Sequence, residues 1–307
     1  MKIAVTGATG FVGRSVVNEL LRRRHDVRAL ARDPGVVRSR FNKPVVAVAC
    51  NLFDAGGLEQ ALLGCDAVVH LVGIIVESRG QTFEAVHRTG TQNVVAAAQK
   101  AGVSRLLHMS AMGSSADAPS EYGRTKAAGE EAVRGSRLDW TIFRPSVIFG
   151  PGDGFVSQLA QIIRLNPLFI PVIGPGAVKF MPVSVREVAR IYGDALERPE
   201  TARGTFEIGG PEVLTLNEIY REIAAALGKP KKPLIHFPIG FGKMLASLFS
   251  VLPNPPLTRD QLRSLSRDNT ADISATIAVF GAPATTLREG IRGYVRPKSR
   301  RDPLVGI

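Results

Sequence analysis

The chain has 307 residues, of which 45% are hydrophobic and 21% charged; this excludes an intrinsically disordered protein and allows one large domain or two small ones. A net charge of +12 asks for a partner or surface of opposite sign. The two cysteines, Cys50 and Cys65, form no CxxC pair or disulfide framework and fit a reducing compartment, and the five histidines lack metal-ligand spacing, so no metal site is predicted.

The first strand begins at once, at Ile3-Ala4-Val5, so no secretory leader is expected. Gly7, Gly10 and Gly13 follow in the spacing GxxGxxG, and Val16, Val17, Leu20 and Leu21 then recur at helical intervals. Val27 to Ala31 supplies a second strand. A glycine triplet between a strand and a helix, with a second strand at βαβ distance, is the pattern of a dinucleotide site. Gly7 allows the sharp turn, Gly10 lets a pyrophosphate approach the backbone, and Gly13 lets the helix pack close. The phosphates would meet the unpaired backbone of Thr9, Gly10, Phe11 and Val12 at the helix start.

An NAD site usually presents a carboxylate at the end of the second strand. Here that end reads Ala31-Arg32, with no carboxylate until Asp33. A guanidinium suits a 2′-phosphate, so the predicted cofactor is NADP(H) rather than NAD(H), with Arg14 assisting. The alternative is that Arg32 and Asp33 form a solvated turn.

Val45 to Ala49 reads as a third strand, followed by Asn51-Leu52 where an adenine ring would lie. Asn51 would bond that ring or cap the local turn. Ala67 to Val72 is the fourth strand, and Leu71, Val72 and Gly73 lie beside the expected nicotinamide ribose. Phe83 to Ala101 is predicted as one long helix, Leu106 to Met109 as strand five, Ala127 to Val133 as helix and Trp140 to Phe143 as strand six. Strands alternating with helices predict an α/β fold, a Rossmann-type doubly wound parallel sheet, with a smaller mixed α/β C-terminal part. The expected division is 1–152 for the dinucleotide-binding domain and 153–307 for a smaller substrate or partner part that shares its cleft.

Tyr122 and Lys126 stand four apart at the start of a helix, after strand five ends at Ser110. A phenol titrates near 10, and an adjacent ammonium is expected to bring it down. Ser110 would steady a carbonyl or hydroxyl, Tyr122 would move the proton, and Lys126 would also reach the cofactor ribose. Taken alone, such a Tyr–Lys pair is usually a solvated helix face.

Four patterns now stand in order: TGATGFVG at 6–13, TGTQNVV at 89–95, YGRTK at 122–126 and FRPSVIFGPGD at 143–153. Through them the chain resembles the extended short-chain dehydrogenase/reductase superfamily, the NAD-dependent epimerase/dehydratase group. The resemblance implies a catalytic pair at Tyr122 and Lys126, and places Arg144, Pro145 and Ser146 beside the nicotinamide. Sugar epimerases carry a Ser/Thr-rich ending to strand five, with the tyrosine some two dozen residues on. Here Ala111 and Met112 follow Ser110, and the tyrosine comes after twelve residues. The acidic residue for the ribose is missing too. These departures look like the atypical branch, in particular the family of the nucleotide-binding accessory subunit of respiratory complex I and its bacterial relatives. PNPPLTRDQLRSLSRDN at 253–269 adds to that likeness. It implies an NADP(H) held as a structural group.

Phe241, Met244, Leu245, Leu248 and Leu252 form an apolar stripe at helical spacing, interrupted by Lys243. It is expected to pack on its own domain. The alternative is an interfacial helix, helped onto anionic lipid by the basic tail Arg288, Arg292, Arg296, Lys298, Arg300 and Arg301.

Two functions follow. The first is an NADP(H)-binding oxidoreductase or isomerase acting on a small carbonyl or hydroxyl compound. The second is a non-catalytic accessory or assembly subunit of a respiratory NADH:quinone oxidoreductase. The expected location is cytoplasmic, peripheral at the inner face of a membrane in the second case. No nucleic-acid-reading motif accompanies the basic charge, and aromatic content is only 6%, which disfavours nucleic acid as the partner.

Overall fold

The computed structural model describes residues 1–41, 44–78, 80–249 and 257–297. Leu252, residues 253–256 of the C-terminal segment, and Lys298, Arg300 and Arg301 of the tail lie outside them.

The first half alternates as the periodicity demands. It runs β1 (Lys2–Thr6), α1 (Phe11–Arg22), β2 (Asp26–Ala31), α2 (Pro34–Arg40), β3 (Val46–Ala49), α3 (Ala55–Leu62) and β4 (Ala67–His70). A π-helical segment, Glu84–Thr89, then opens α4 (Gly90–Lys100), followed by β5 (Arg105–Met109), α5 (Glu121–Arg134) and β6 (Asp139–Pro145). The single helix expected over 83–101 is thus two geometries, with its first turns widened.

The second half continues with β7 (Ile148–Phe149), α6 (Phe155–Leu165), β8 (Ile170–Ile173), β9 (Lys179–Phe180), β10 (Val183–Ser184) and α7 (Val185–Glu197). Then come β11 (Gly204–Ile208), β12 (Leu214–Thr215), α8 (Leu216–Ala226), β13 (Leu234–Phe237) and α9 (Ile239–Phe249). Three short helices follow: α10 (Arg259–Ser264), α11 (Ser274–Phe280) and α12 (Leu287–Ile291).

Seven parallel strands form the main sheet in the order β3-β2-β1-β4-β5-β6-β11. β1 lies inside the sheet beside the middle strand β4, and Ile3, Ala4 and Val5 are fully buried, as strands covered on both faces require. Val5, Val69 and Leu107 point to one face, where Val16, Val17 and Leu20 of α1 pack with Val188 and Tyr192 of α7. Ala4, Val68 and Leu106 point to the other, against Leu58 and Leu62 of α3 and Val94 and Ala98 of α4. The strand order reverses between β1 and β4, and a crevice at such a point, beyond the carboxyl ends of the strands, is where ligands bind.

The chain beyond residue 152 is not confined to a separate lobe: β11 adds the last strand to the main sheet and α7 packs on α1. The remaining elements pack around Ile163, Ile219, Ile223, Leu287 and Ile291.

One expectation holds only in part at α9. This helix buries its small residues: Ala246 is covered, and a Cβ on Gly242 would come within 2.5 Å of Ile173. Much of the apolar stripe points outward, with Met244 58% and Leu248 67% exposed and Ile239 beside them on the surface. It packs on its own domain only in part: Phe241 stacks on Phe237 of β13, with centroids 5.2 Å apart, and Leu245 is half-buried, while the closest approach to β8 is made by the glycine–alanine side of the helix. Among the described residues, no helix is long and apolar enough to cross a membrane.

Candidate active site

The crevice begins at the glycine turn. Gly7 has φ +73°, and a Cβ there would lie 3.1 Å from the backbone of Leu71 and Val72, so the turn rests directly on the end of β4. A Cβ on Gly13 would stand 2.1 Å from the Gly7 carbonyl, so only glycine lets α1 dock on the turn. Gly10 is different. It is exposed, a Cβ there would meet only the Gly7 carbonyl, at 3.2 Å, and no side chain caps the helix it starts. The Gly10 amide, expected to be unpaired, is given to the Gly7 carbonyl at 3.0 Å, so the backbone open at this helix start is that of Thr9, Phe11 and Val12. Beside it, Arg14 Nε is buried with no hydrogen-bond partner among the described residues.

At the far end of β2, Arg32 is exposed and makes no ion pair or hydrogen bond among the described residues. Asp33 is engaged, capping α2 by accepting from the Gly35 amide at 2.7 Å. Asn51 takes the second of its two expected roles: its Oδ1 accepts from the Phe53 amide at 3.1 Å and holds the local turn. Leu52 packs on Gly90, and its carbonyl accepts from Asn93 Nδ2 at 2.9 Å.

The chemistry-bearing end is built by α5. Ser120 caps it, with its Oγ accepting from the Gly123 amide, and the Asp260 carboxylate accepts from the amides of Glu121 (2.7 Å) and Tyr122 (3.2 Å). One turn in, the Lys126 ammonium donates to the Met109 carbonyl at 2.5 Å, at the end of β5. A Cβ on Gly73 would be 3.7 Å from Lys126 Nζ and 3.6 Å from His87 Nε2, so the loops after β4 and β5 meet at these two side chains. The Tyr122 ring has edge contacts with Phe83 and His87, at centroid distances of 5.9 and 5.3 Å.

The electrostatics correct one expectation. Burial pushes the Tyr122 phenol up to about 12, because the ammonium of Lys126 is directed at Met109 and does not offset the lost hydration. Burial also lowers Lys126 to about 8, against an opposing pull from Glu130. The adjacent lysine thus does not bring the phenol down.

Ser110 is buried, 2% exposed, and its hydroxyl donates to Ser114 Oγ at 3.3 Å. Pro145 contributes its carbonyl to the Met112 amide, 2.9 Å. Ser146, expected beside the cofactor, directs its hydroxyl to Asn269 Oδ1 (2.6 Å) and accepts from the Met181 amide (3.1 Å). Arg144, expected there too, is drawn to Glu130 and Glu207.

His87 was not singled out by the sequence. Its Nε2 accepts from the Ile74 amide at 3.1 Å, so its proton sits on Nδ1 and is donated to Thr125 Oγ1 at 3.0 Å. Burial, then the charge of Lys126, lowers it to about 3 and keeps it neutral. The π-helical widening at 84–89 carries this ring, and such widenings are frequent at functional sites.

Comparison with known proteins decides the family. The complex I protein "NADH dehydrogenase [ubiquinone] 1 alpha subcomplex subunit 9, mitochondrial" of Arabidopsis thaliana is 30% identical over 279 residues, covering 86% of this chain and 69% of that one. This chain belongs to that subunit's family. A family model described as NAD(P)H-binding matches residues 7–154. A ceramide reductase of Caulobacter vibrioides is 32% identical over 56% of this chain and 53% of its own. The fold matches the dTDP-glucose 4,6-dehydratase DesIV of Streptomyces venezuelae, solved with NAD, at a TM-score of 0.74 and 21% identity over 96% of each chain. The fold is thus the one seen in NAD-dependent epimerase and dehydratase structures, and the cofactor class is a nicotinamide dinucleotide.

The residues fit such a group. The Gly10 cradle admits a backbone-hugging anion, and Arg14 Nε and Arg32 await acceptors.

Proposed function

We propose that this chain binds NADP(H) along the crevice from Arg32 to Gly73 and acts as a reductase or dehydrogenase on a small carbonyl or hydroxyl compound. The bound nicotinamide supplies or accepts hydride. The protein residues do the rest. Gly7, Thr9, Gly10, Phe11 and Val12 hold the pyrophosphate, Arg32 with Arg14 the additional phosphate, and Leu52 the adenine side. Leu71, Val72 and Gly73 flank the nicotinamide end, with Pro145 behind it. Tyr122 is the proton donor or acceptor at its hydroxyl, Lys126 orients the ribose, and Ser110, through the Ser110–Ser114 pair, steadies the substrate oxygen. One observation carries this reading: Lys126 Nζ sits where the ends of β4 and β5 meet, one helical turn from Tyr122, on the crevice floored by the glycine turn. Burial keeps the Tyr122 hydroxyl protonated, the form that donates to a substrate oxygen when a carbonyl is reduced.

A second reading is favoured by the outward face of α9. In it the chain holds NADP(H) without turnover and docks on a respiratory complex at an anionic membrane surface. The exposed Ile239, Phe241, Met244 and Leu248, with Lys243 beside them, fit an apolar surface rimmed by negative headgroups. Location at the inner face of a membrane belongs to this reading.

The test is native purification followed by a carbonyl-substrate screen with NADPH. Turnover abolished by Tyr122→Phe, with cofactor binding retained, supports the first reading. NADP(H) that copurifies and never turns over supports the second, as does cosedimentation with anionic vesicles that is lost in Met244→Asp/Leu248→Asp.

A further inference from the structure

The segment 258–269 crosses the carboxyl ends of β5 and β6 and is fastened at both ends. At one end Asp260 takes the first two amides of α5, those of Glu121 and Tyr122. At the other, Asn269 accepts from Ser146 Oγ and donates to the Met112 carbonyl at 3.1 Å, while Asp268 accepts from the Lys179 amide. Between them, Leu262 is buried against Gly242 of α9.

The first turn of α5 needs an acceptor for its open amides. Its own cap, Ser120, satisfies only Gly123. The two amides left over, including that of Tyr122, are satisfied from 138 and 139 residues away. The Tyr122 hydroxyl has no hydrogen-bond partner among the described residues, so no polar contact directs it, and its ring meets Phe83 and His87 edge-on. The placement of the phenol is therefore set by the placement of its own backbone. That backbone is held by a carboxylate on a different element.

We propose that Asp260 is a positioning residue for Tyr122, an external cap that sets the first turn of α5 and through it the direction of the phenol. The proposal rests on the reading that Tyr122 faces the reacting end of the crevice. It also gives the 258–269 segment a role beyond packing, because α10 leans on α9, whose outer face is apolar and open. A shift of α9 on a docking partner would reach Tyr122 through a single carboxylate.

The test uses the full chain labelled with 3-fluorotyrosine, whose four tyrosines give four ¹⁹F signals. The Tyr122 signal is assigned by its loss in Tyr122→Phe. In Asp260→Ala, amide exchange at Glu121 and Tyr122 should rise about fivefold or more, the cost of losing a helix cap. The core of α5 at 127–133 should be unaffected. The Tyr122 signal should shift, and its titration should move down toward that of free 3-fluorotyrosine as the ring gains water. The affinity for NADPH should change by less than about twofold, well under 1.4 kcal/mol. Asp260→Asn, which keeps one of the two acceptor oxygens and turns an amide donor toward the other N–H, should recover only part of the wild-type signal. A Tyr122 signal and titration unchanged in Asp260→Ala would overturn the proposal, whatever the amides do. The underlying reading is checked separately in the unsubstituted protein: NADPH must shift the Tyr122 signal. If it does not, that reading fails, and the positioning role with it.

Discussion

Glu130 of α5, fully buried, holds Arg144 at the end of β6 through two hydrogen bonds of 2.8 and 2.6 Å. Arg134 joins the same carboxylate, and Arg144 reaches on to Glu207 of β11. The pair ties the helix that carries Tyr122 to the sheet. Glu130→Ala removes the acceptor that Arg144 and Arg134 share, but Arg144 is partly exposed and keeps Glu207, so the fold should lose about 1–3 kcal/mol. Urea unfolding measures this. An effect under about 1 kcal/mol would mean that the pair behaves like a surface salt bridge.

Gly13→Ala should be among the most damaging single-methyl additions. Its Cβ would press to 2.1 Å from the Gly7 carbonyl, against backbone rather than a movable side chain. The helix must back away from the turn, at a cost of about 1–3 kcal/mol. NADPH binding should fall more steeply than stability, since the cradle itself opens. Paired fluorescence titration and thermal melting check this.

His70 lies between Thr6 and Thr91 under the sheet, and burial lowers it to about 3, as it does His87. Between pH 3 and 6.5 the unfolded chain binds protons at these positions that the folded chain refuses. Stability from these groups is therefore complete above about 6.5 and is lost as pH falls, at about 1.4 kcal/mol per pH unit for each. Unfolding free energies should fall by about 1 kcal/mol per group from pH 6.5 to 5.5, where the unfolded imidazole is still titrating, and more steeply below, and His70→Asn should remove one group's share.

Arg32→Ala should weaken NADPH binding roughly 10- to 100-fold, the worth of a charge-assisted hydrogen bond or two, while leaving NADH nearly unchanged. Equal losses for both cofactors, in calorimetric titration, would remove Arg32 from the 2′-phosphate role.

The glycine turn and the Tyr122–Lys126 pair were legible in the sequence because their chemistry is local. A strand, three spaced glycines and a helix specify one geometry, and residues four apart share a helix face. His87, Asp260 and Asn269 were not legible, since each acts on a backbone group far along the chain, His87 on Ile74 and Asp260 on Tyr122. The short edge strand β11 carried only the alternation of Phe206 and Ile208 as a signal. Periodicity located a stripe on α9, but which side a neighbour covers depends on close packing at Gly242 and Ala246. The phenol value followed from burial, which spacing does not report.

The central claim is that the crevice holds NADP(H) with its reactive ring toward Tyr122. A crystal structure of the full chain grown with NADPH measures this most directly. The account predicts the pyrophosphate on the backbone of 9–12, the 2′-phosphate on Arg32, and the nicotinamide within reach of the Tyr122 hydroxyl. A dinucleotide bound elsewhere, or a nicotinamide ring turned away from Tyr122, would contradict it.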